Sequence, residues 1–209
     1  MPEPIDAAFT ARWRESLRHE LDLTIHLLRK SGHLGSDADL GQRLGVLLAD
    51  VDALLGTEAI RVHGDYHLGQ VLRTADGDVS ILDFEGEPSR PIEDRRRRYP
   101  ALKDVAGMTR SLDYARATVA RMPASSLGNQ GDVDAWFGRV LNDFLSGYRT
   151  AMRPAEGRLV PADSRDFSAA LALFELEKAL YEARYELNNR PDWVSIPLEA
   201  IRAIAARGA

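Results

Sequence analysis

Apolar residues along the first thirty positions recur at intervals of about three to four. Phe9, Trp13, Leu17, Leu21, Leu23, Leu27 and Leu28 follow this spacing, which predicts an amphipathic helix beginning near Ala7. The run "SGHLGS" (31–36) stops it with two glycines. Leu40, Leu44, Leu47, Leu48, Val51, Leu54 and Leu55 predict a second helix over 37–56, ended by Gly56. The period then changes from helical to alternating. "QVLRT" and "VSILDF" flank "ADGD", and Asp76-Gly77 between apolar runs predicts a β-hairpin. Residues 86–100 are rich in Pro and Arg, lack periodicity and read as a loop. Helical spacing returns over 102–121, 132–151 and 164–189, with "MPASSLGNQG" (122–131) as a loop. A last short helix is expected over 197–206. No internal repeat or low-complexity segment interrupts the pattern, so the expected fold class is mostly α (α+β), helices around one small hairpin.

Composition narrows the function classes. The chain has 209 residues, 44% apolar and 28% charged, with a net charge of −5. That length suits one domain or two small ones with a sizeable core, and the charge balance offers no broad basic surface for nucleic acid. The absence of cysteine excludes disulfides and thiolate zinc sites. No signal peptide and no membrane-spanning apolar run is present, so a cytoplasmic location without membrane contact is expected. Lysine occurs only at Lys30, Lys103 and Lys178, which limits the residues that could reach a nucleotide phosphate.

The candidate chemistry lies around the hairpin. Asp65 sits in the loop before the first strand, Gln70 at the entry to that strand, and Asp83 at the end of the returning strand. A hairpin brings its ends together, so Gln70 and Asp83 should be neighbours with Asp65 close by. Phosphoryl transfer uses such a set. Magnesium takes hard oxygen ligands and keeps several waters, while a separate carboxylate faces the acceptor hydroxyl. The order His63-Gly64-Asp65…Gln70, then Asp83-Phe84-Glu85, resembles the protein-kinase pattern H-R-D-x-x-x-x-N and D-F-G. Gly64 in place of Arg, Gln70 in place of Asn and Glu85 in place of Gly turn the reading towards small-molecule kinases of the aminoglycoside-phosphotransferase type. A turn in which Asp65 merely caps backbone N–H groups is the simpler alternative. A hydrolase metal site built on His63, Asp65 and His67 would need later ligands, and no histidine follows His67.

A second cluster lies in "EKALYEARYELNNRPDW" (177–193). On a helix, Lys178, Tyr181, Glu182 and Tyr185 share one face, opposite Leu173, Leu176, Leu180, Ala183 and Leu187. Aromatic platforms with planar polar partners suit a sugar. A solvated face with a Lys178–Glu182 ion pair is the plainer reading. Elsewhere, Trp13 and Trp136 read as core residues. Arg95, Arg96, Arg97 and Arg98 read as a solvated loop or as partners of Glu85, Glu87, Glu93 and Asp94, with a phosphate contact as the remaining alternative. Asp104 is expected to bond backbone N–H groups near a helix start.

From Arg61 onwards the chain resembles bacterial maltokinases, of the aminoglycoside-phosphotransferase/protein-kinase-like superfamily. The matching stretches are "RVHGDYHLGQVLRT", "ILDFEGEPSRPIEDRRRRYPALKDVAGMTRSLDYA" and "FELEKALYEARYELNNRPDWVSIPL". The resemblance implies transfer of the ATP γ-phosphate to maltose, giving maltose 1-phosphate, in glycogen or trehalose metabolism. It implies a two-lobed kinase-like fold in which this chain is the C-terminal lobe. Residues 1–60 would be leading helices, 61–88 the catalytic loop and hairpin, and 101–209 a helical substrate-binding part. It implies Asp65 as catalytic base and Gln70 and Asp83 on Mg²⁺, with Glu85 an additional candidate. Lys178, Tyr181, Glu182 and Tyr185 would contact the sugar, bordered by Asn189, Arg190 and Trp193. His63, His67 and Asp104 would support the loop. No G-x-G-x-x-G or Walker A pattern is present, and Lys30 lies in a helical stretch. A separate N-terminal lobe or another chain is therefore an expected partner alongside ATP and the sugar. The alternatives are an incomplete sugar-binding or partner-docking lobe, and a phosphotransferase for an aminoglycoside-like or other small acceptor.

Overall fold

The structure, a computed structural model, describes residues 1–87, 91–122 and 130–207. Helix α1 runs Ala7–Lys30, starting where the sequence pattern starts. Asp6 caps it, its side chain accepting the Phe9 N–H, and Arg29 and Lys30 complement the dipole of its last turn. The predicted helix over 37–56 divides into α2 (Leu40–Leu47) and a 3₁₀ segment, Leu48–Leu54. Strands β1 (Glu3–Pro4) and β2 (Glu58–Ala59) have two residues each. Strands β3 (Val71–Arg73) and β4 (Val79–Ile81) form the predicted antiparallel hairpin, pairing Val71 with Ile81, Leu72 with Ser80 and Arg73 with Val79. Gly77 at its turn has φ +90°, a conformation that asks for glycine. Then follow α3 (Ile92–Arg96), α4 (Leu102–Ala120), α5 (Gln130–Met152), α6 (Ser164–Asn189) and α7 (Ser195–Arg207).

The chain divides into two compact units, one of Met1–Glu3 with Glu58–Val160, the other of Pro4–Thr57 with Pro161–Ala209. The second contains a continuous apolar core. Leu17, Leu21 and Leu28 of α1, Leu40 and Leu44 of α2, Leu173, Leu176 and Leu180 of α6, and Ile201 of α7 are all essentially inaccessible to solvent. Burial of a leucine side chain stabilises by roughly 1.5–3 kcal/mol. Trp13 packs at the edge of this core, stacked on Phe174 at 4.4 Å between ring centroids, while its Nε1–H donates to Glu177 Oε2 at 2.9 Å. In the first unit, Leu102, Val105, Met108 and Leu112 of α4 are buried.

Two local expectations are corrected. Trp136 is not a core residue: it is 38% exposed on α5. The stretch over 86–100 is not all loop, because Ile92–Arg96 forms a short helix with Glu93 and Asp94 in its first turn and Arg95 and Arg96 in its last. That charge order suits the helix dipole. Of the expected arginine pairings, Arg97 meets Asp94 at 3.2 Å, whereas Arg98 pairs with Glu3. The loop expected over 122–131 lies largely outside the described residues. Among the described residues, no helix is long and apolar enough to cross a membrane.

Candidate functional site

Helix α4 holds the Asp65 loop by its backbone. Asp104, in the first turn of α4, accepts the His63 N–H at 2.7 Å and the Gly64 N–H at 2.9 Å, one on each carboxylate oxygen. The expectation that Asp104 bonds backbone N–H groups is met by the loop some forty residues earlier, not by the helix's own first turn. Burial pushes the Asp104 carboxyl above its ordinary value, and it prevails over the two N–H bonds and over His63 and Lys103, which pull the other way. Two turns further along, Ser111 Oγ accepts the Leu68 N–H at 3.1 Å. Asp104 and Ser111 are seven residues apart and so lie on one helix face. Ser111 was missed from sequence, although its spacing from Asp104 carried a signal.

His63 ties the loop to the hairpin. The ring is 5% exposed and packs between Tyr66 and Phe84, with centroid separations of 5.6 and 4.8 Å. Its Nε2 lies 2.7 Å from the Leu82 carbonyl oxygen. A carbonyl can only accept, so Nε2 carries the proton. Nδ1 is then the acceptor for the Asp65 backbone N–H, a longer bond at 3.3 Å. One imidazole thus spans from the backbone of Asp65 to the residue preceding Asp83. His67 acts locally: its Nδ1 accepts the Gly69 N–H at 3.0 Å and caps the 3₁₀ turn Leu68–Gln70.

At the hairpin's open end, Gln70 and Asp83 meet. The Leu82 N–H donates to the Gln70 carbonyl at 2.9 Å, and Gln70 Nε2 donates to Asp83 Oδ2 at 3.0 Å. Asp83 has φ +61° and is the sole non-glycine residue with positive φ among the described residues. The left-handed region costs an L-residue roughly 1–2 kcal/mol, and aspartate tolerates it better than most. Gly64 and Gly86 also have positive φ, and a Cβ on Gly64 would lie 3.3 Å from the Gly86 Cα. The loop before Asp65 and the turn after Asp83 therefore approach backbone to backbone. Glu85, on that turn, is exposed. Tyr66 and Tyr148 feel the same surroundings. Burial first, and then the Asp104 charge, raises both phenols, that of Tyr148 to about 12.

The donors fit magnesium in its phosphate-bound form. Among the described residues, no group of three or more His, Cys, Asp or Glu side chains could hold a metal. A magnesium ion bridging phosphates needs only one or two protein oxygens, the rest coming from phosphate and water. The Asp83 carboxylate with the neighbouring Gln70 amide offers that set.

The second cluster belongs to the other compact unit. On α6, Lys178 Nζ lies 5.0 Å from the Tyr181 ring centroid, and the Tyr181 and Tyr185 rings stack at 6.5 Å. Arg190 binds Glu186 through two bonds, 2.9 and 2.6 Å, and its guanidinium lies over Tyr185 at 5.7 Å and Trp193 at 4.8 Å. Glu186, missed from sequence, is 1% exposed and anchors this arrangement. Asn189 Nδ2 donates to the Tyr185 carbonyl at 2.8 Å, closing the helix end. Glu182 is half-buried on the same face as Lys178. Lys178 thus lies over one end of the Tyr181–Tyr185 pair and Arg190 joins its other end to Trp193.

No family model matches the chain. It is 35% identical over 196 residues to a glucosamine kinase of Streptacidiphilus jiangxiensis, covering 93% of this chain and 42% of that protein. It is 29% identical over 212 residues to a glucosamine kinase of Mycolicibacterium smegmatis, covering 98% and 49%. A solved structure of glucosamine kinase in complex with glucosamine, ADP and inorganic phosphate matches with a TM-score of 0.79 at 32% identity, over 98% of this chain and 46% of that one. Another crystal form of glucosamine kinase matches with a TM-score of 0.82, over 100% and 48%. The chain spans a little under half the length of these relatives. These findings overturn the resemblance to maltokinases, and with it maltose as partner, maltose 1-phosphate as product and the place in glycogen or trehalose metabolism. They also replace the isolated protein-kinase-like C-terminal lobe as the fold. The stretches that carried the resemblance include the hairpin and much of helices α4 and α6; such a scaffold fixes where carboxylates stand without specifying the acceptor. The fold is the α+β one this chain shares with part of the glucosamine kinase structures.

Proposed function

We propose that this chain carries part of the catalytic machinery of an ATP-dependent small-molecule phosphotransferase whose acceptor is glucosamine or a closely related amino sugar. The observation that carries the reading is the hydrogen-bonded pair Gln70–Asp83, with Asp83 in the left-handed conformation and His63 linking its strand to the Asp65 backbone. In this reading Asp65 orients the acceptor hydroxyl and takes its proton as the new O–P bond forms and the bond to the ADP leaving group breaks. Asp83 and Gln70 would hold Mg²⁺, with Glu85 beside them; the ion, when bound, neutralises charge developing on the phosphates. His63, His67 and Asp104 keep the loop in register. Positioning and charge complementarity supply most of the rate, because phosphoryl transfer demands little covalent chemistry of the protein.

The aromatic face of α6 is the proposed sugar platform. The Tyr181 and Tyr185 faces suit a pyranose ring, and the Glu182 carboxylate suits the ammonium that distinguishes glucosamine from glucose. Lys178, Asn189, Arg190 and Trp193 border or brace it. The relatives named above favour glucosamine over maltose as the acceptor to test first. The experiment is an acceptor panel with the purified chain and Mg-ATP, following ADP release. The expected order is glucosamine well above glucose, with maltose at background. Equal release with all three, or release only without sugar, would remove the proposal.

A further inference from the structure

Helix α4 contains a glycine whose place its backbone conformation does not explain. Gly107 does not have the positive φ that marks the turn glycines, and glycine is among the poorest helix formers. A Cβ built at this position would lie 2.5 Å from the Tyr66 carbonyl oxygen, 3.6 Å from its carbon and 3.9 Å from its nitrogen. All three are backbone atoms. Other helical glycines differ: a Cβ on Gly138 or Gly147 of α5 would meet nothing, on Gly41 of α2 only the Ile25 side chain at ordinary contact distance, and on Gly45 of α2 only the flexible end of Arg18. Gly107 also lies between Asp104 and Ser111, three residues after one and four before the other, on the face that grips the loop at His63, Gly64 and Leu68.

We infer that Gly107 is a positioning residue: its bare Cα seats the Tyr66 carbonyl and so sets where the adjoining Asp65 stands. The loop is fixed on both sides of Tyr66. A methyl at 107 pushes the carbonyl outward, and the displacement passes to Asp65 on one side or strains the Leu68–Ser111 bond on the other. The catalytic part of this inference rests on the phosphotransferase reading above. The contact itself does not.

Gly107→Ala is the test, read by melting temperature, by amide hydrogen exchange at Gly64 and Leu68, and by steady-state kinetics with glucosamine and Mg-ATP. The variant is expected to melt near the parent, since alanine favours the helix. Exchange at Gly64 and Leu68 should quicken at least about tenfold. Turnover should fall by about 10²-fold, the order of loss that a misplacement near 1 Å brings, with KM for glucosamine within about twofold. Ser111→Ala, which removes one acceptor without crowding, should speed exchange at Leu68 and lower turnover by a smaller factor. Unchanged exchange and turnover in Gly107→Ala would overturn the inference. So would wholesale unfolding of that variant, which assigns Gly107 to stability, and so would equal effects on KM and turnover. A parent chain with no turnover would count against the phosphotransferase reading, while the exchange rates still decide the contact.

Discussion

Replacing Asp104 by Asn keeps the side chain's shape and removes its charge. In the parent, the two carboxylate oxygens accept the His63 and Gly64 N–H groups at 2.7 and 2.9 Å. The amide can accept one of these and must turn an NH₂ group towards the other. An orphaned, part-buried N–H costs about 1–3 kcal/mol, and the protonated carboxyl, whose hydroxyl oxygen can still accept, avoids that cost. The net loss is about 2 kcal/mol near pH 4, and at higher pH relief from burying the parent's charge offsets part of it. In a chain of this size that lowers the melting temperature by about 4–8 °C. The pH dependence gives a sharper check. Folding raises the Asp104 pKa above its ordinary 3.8, so the native state holds this proton more tightly than the unfolded chain. That contribution to stability is present in full below the unfolded value and is lost as pH rises through the folded one. The amide that replaces the carboxyl has no such titration. The parent's advantage over Asp104→Asn should therefore be largest near pH 4 and shrink towards pH 7, measured by urea midpoints across that range. An advantage that grows with pH, or no loss of stability at any pH, would refute the reasoning.

Further consequences can be measured on the same protein. At Asp83, φ +61° favours glycine over other apolar replacements, so Asp83→Ala should be less stable than Asp83→Gly by about 1 kcal/mol in thermal melts; equal stability would contradict the left-handed assignment. Gly64→Ala meets both positive φ and the Gly86 backbone, whereas Gly77→Ala meets open space. The first should lower the melting temperature by several degrees more than the second, and the reverse order would place the loop and turn apart. Tyr181→Ala should weaken glucosamine binding by about tenfold in calorimetry through loss of the ring face, with Tyr181→Phe near the parent; unchanged affinity in the alanine variant would remove α6 as the platform.

The parts of this fold legible in the sequence are those fixed by local pattern. The stripe from Phe9 to Leu28 defines α1, and Leu173 to Leu187 define the buried face of α6. Asp76-Gly77 defines the hairpin turn, and once the hairpin exists Gln70 and Asp83 must be near each other. What stayed hidden depends on contacts far apart in the chain. The support of the loop by Asp104 was expected, but that Ser111 would take up the Leu68 N–H requires α4 to lie along the loop, and its spacing from Asp104 only hints at this. The short helix Ile92–Arg96 lacks an apolar stripe because none of its residues is buried. Trp136 looked like core because tryptophan is usually well covered, yet on α5 it is 38% exposed. The acceptor was misread for a different reason. The same loop, hairpin and helix can serve several sugars, and the few side chains that choose among them make no distinctive run.

In the proposed reaction Asp65 activates the acceptor, its backbone N–H held by His63 Nδ1. The most direct test is a single comparison of the purified chain with Asp65→Asn. Glucosamine binding would be followed by calorimetry, and glucosamine-dependent ADP release would be measured in the same preparations with Mg-ATP. The expected result is glucosamine affinity within about twofold of the parent and ADP release reduced by at least about 10²-fold, the lower range for a general base. Release near the parent's rate in Asp65→Asn, with binding intact, would contradict this role.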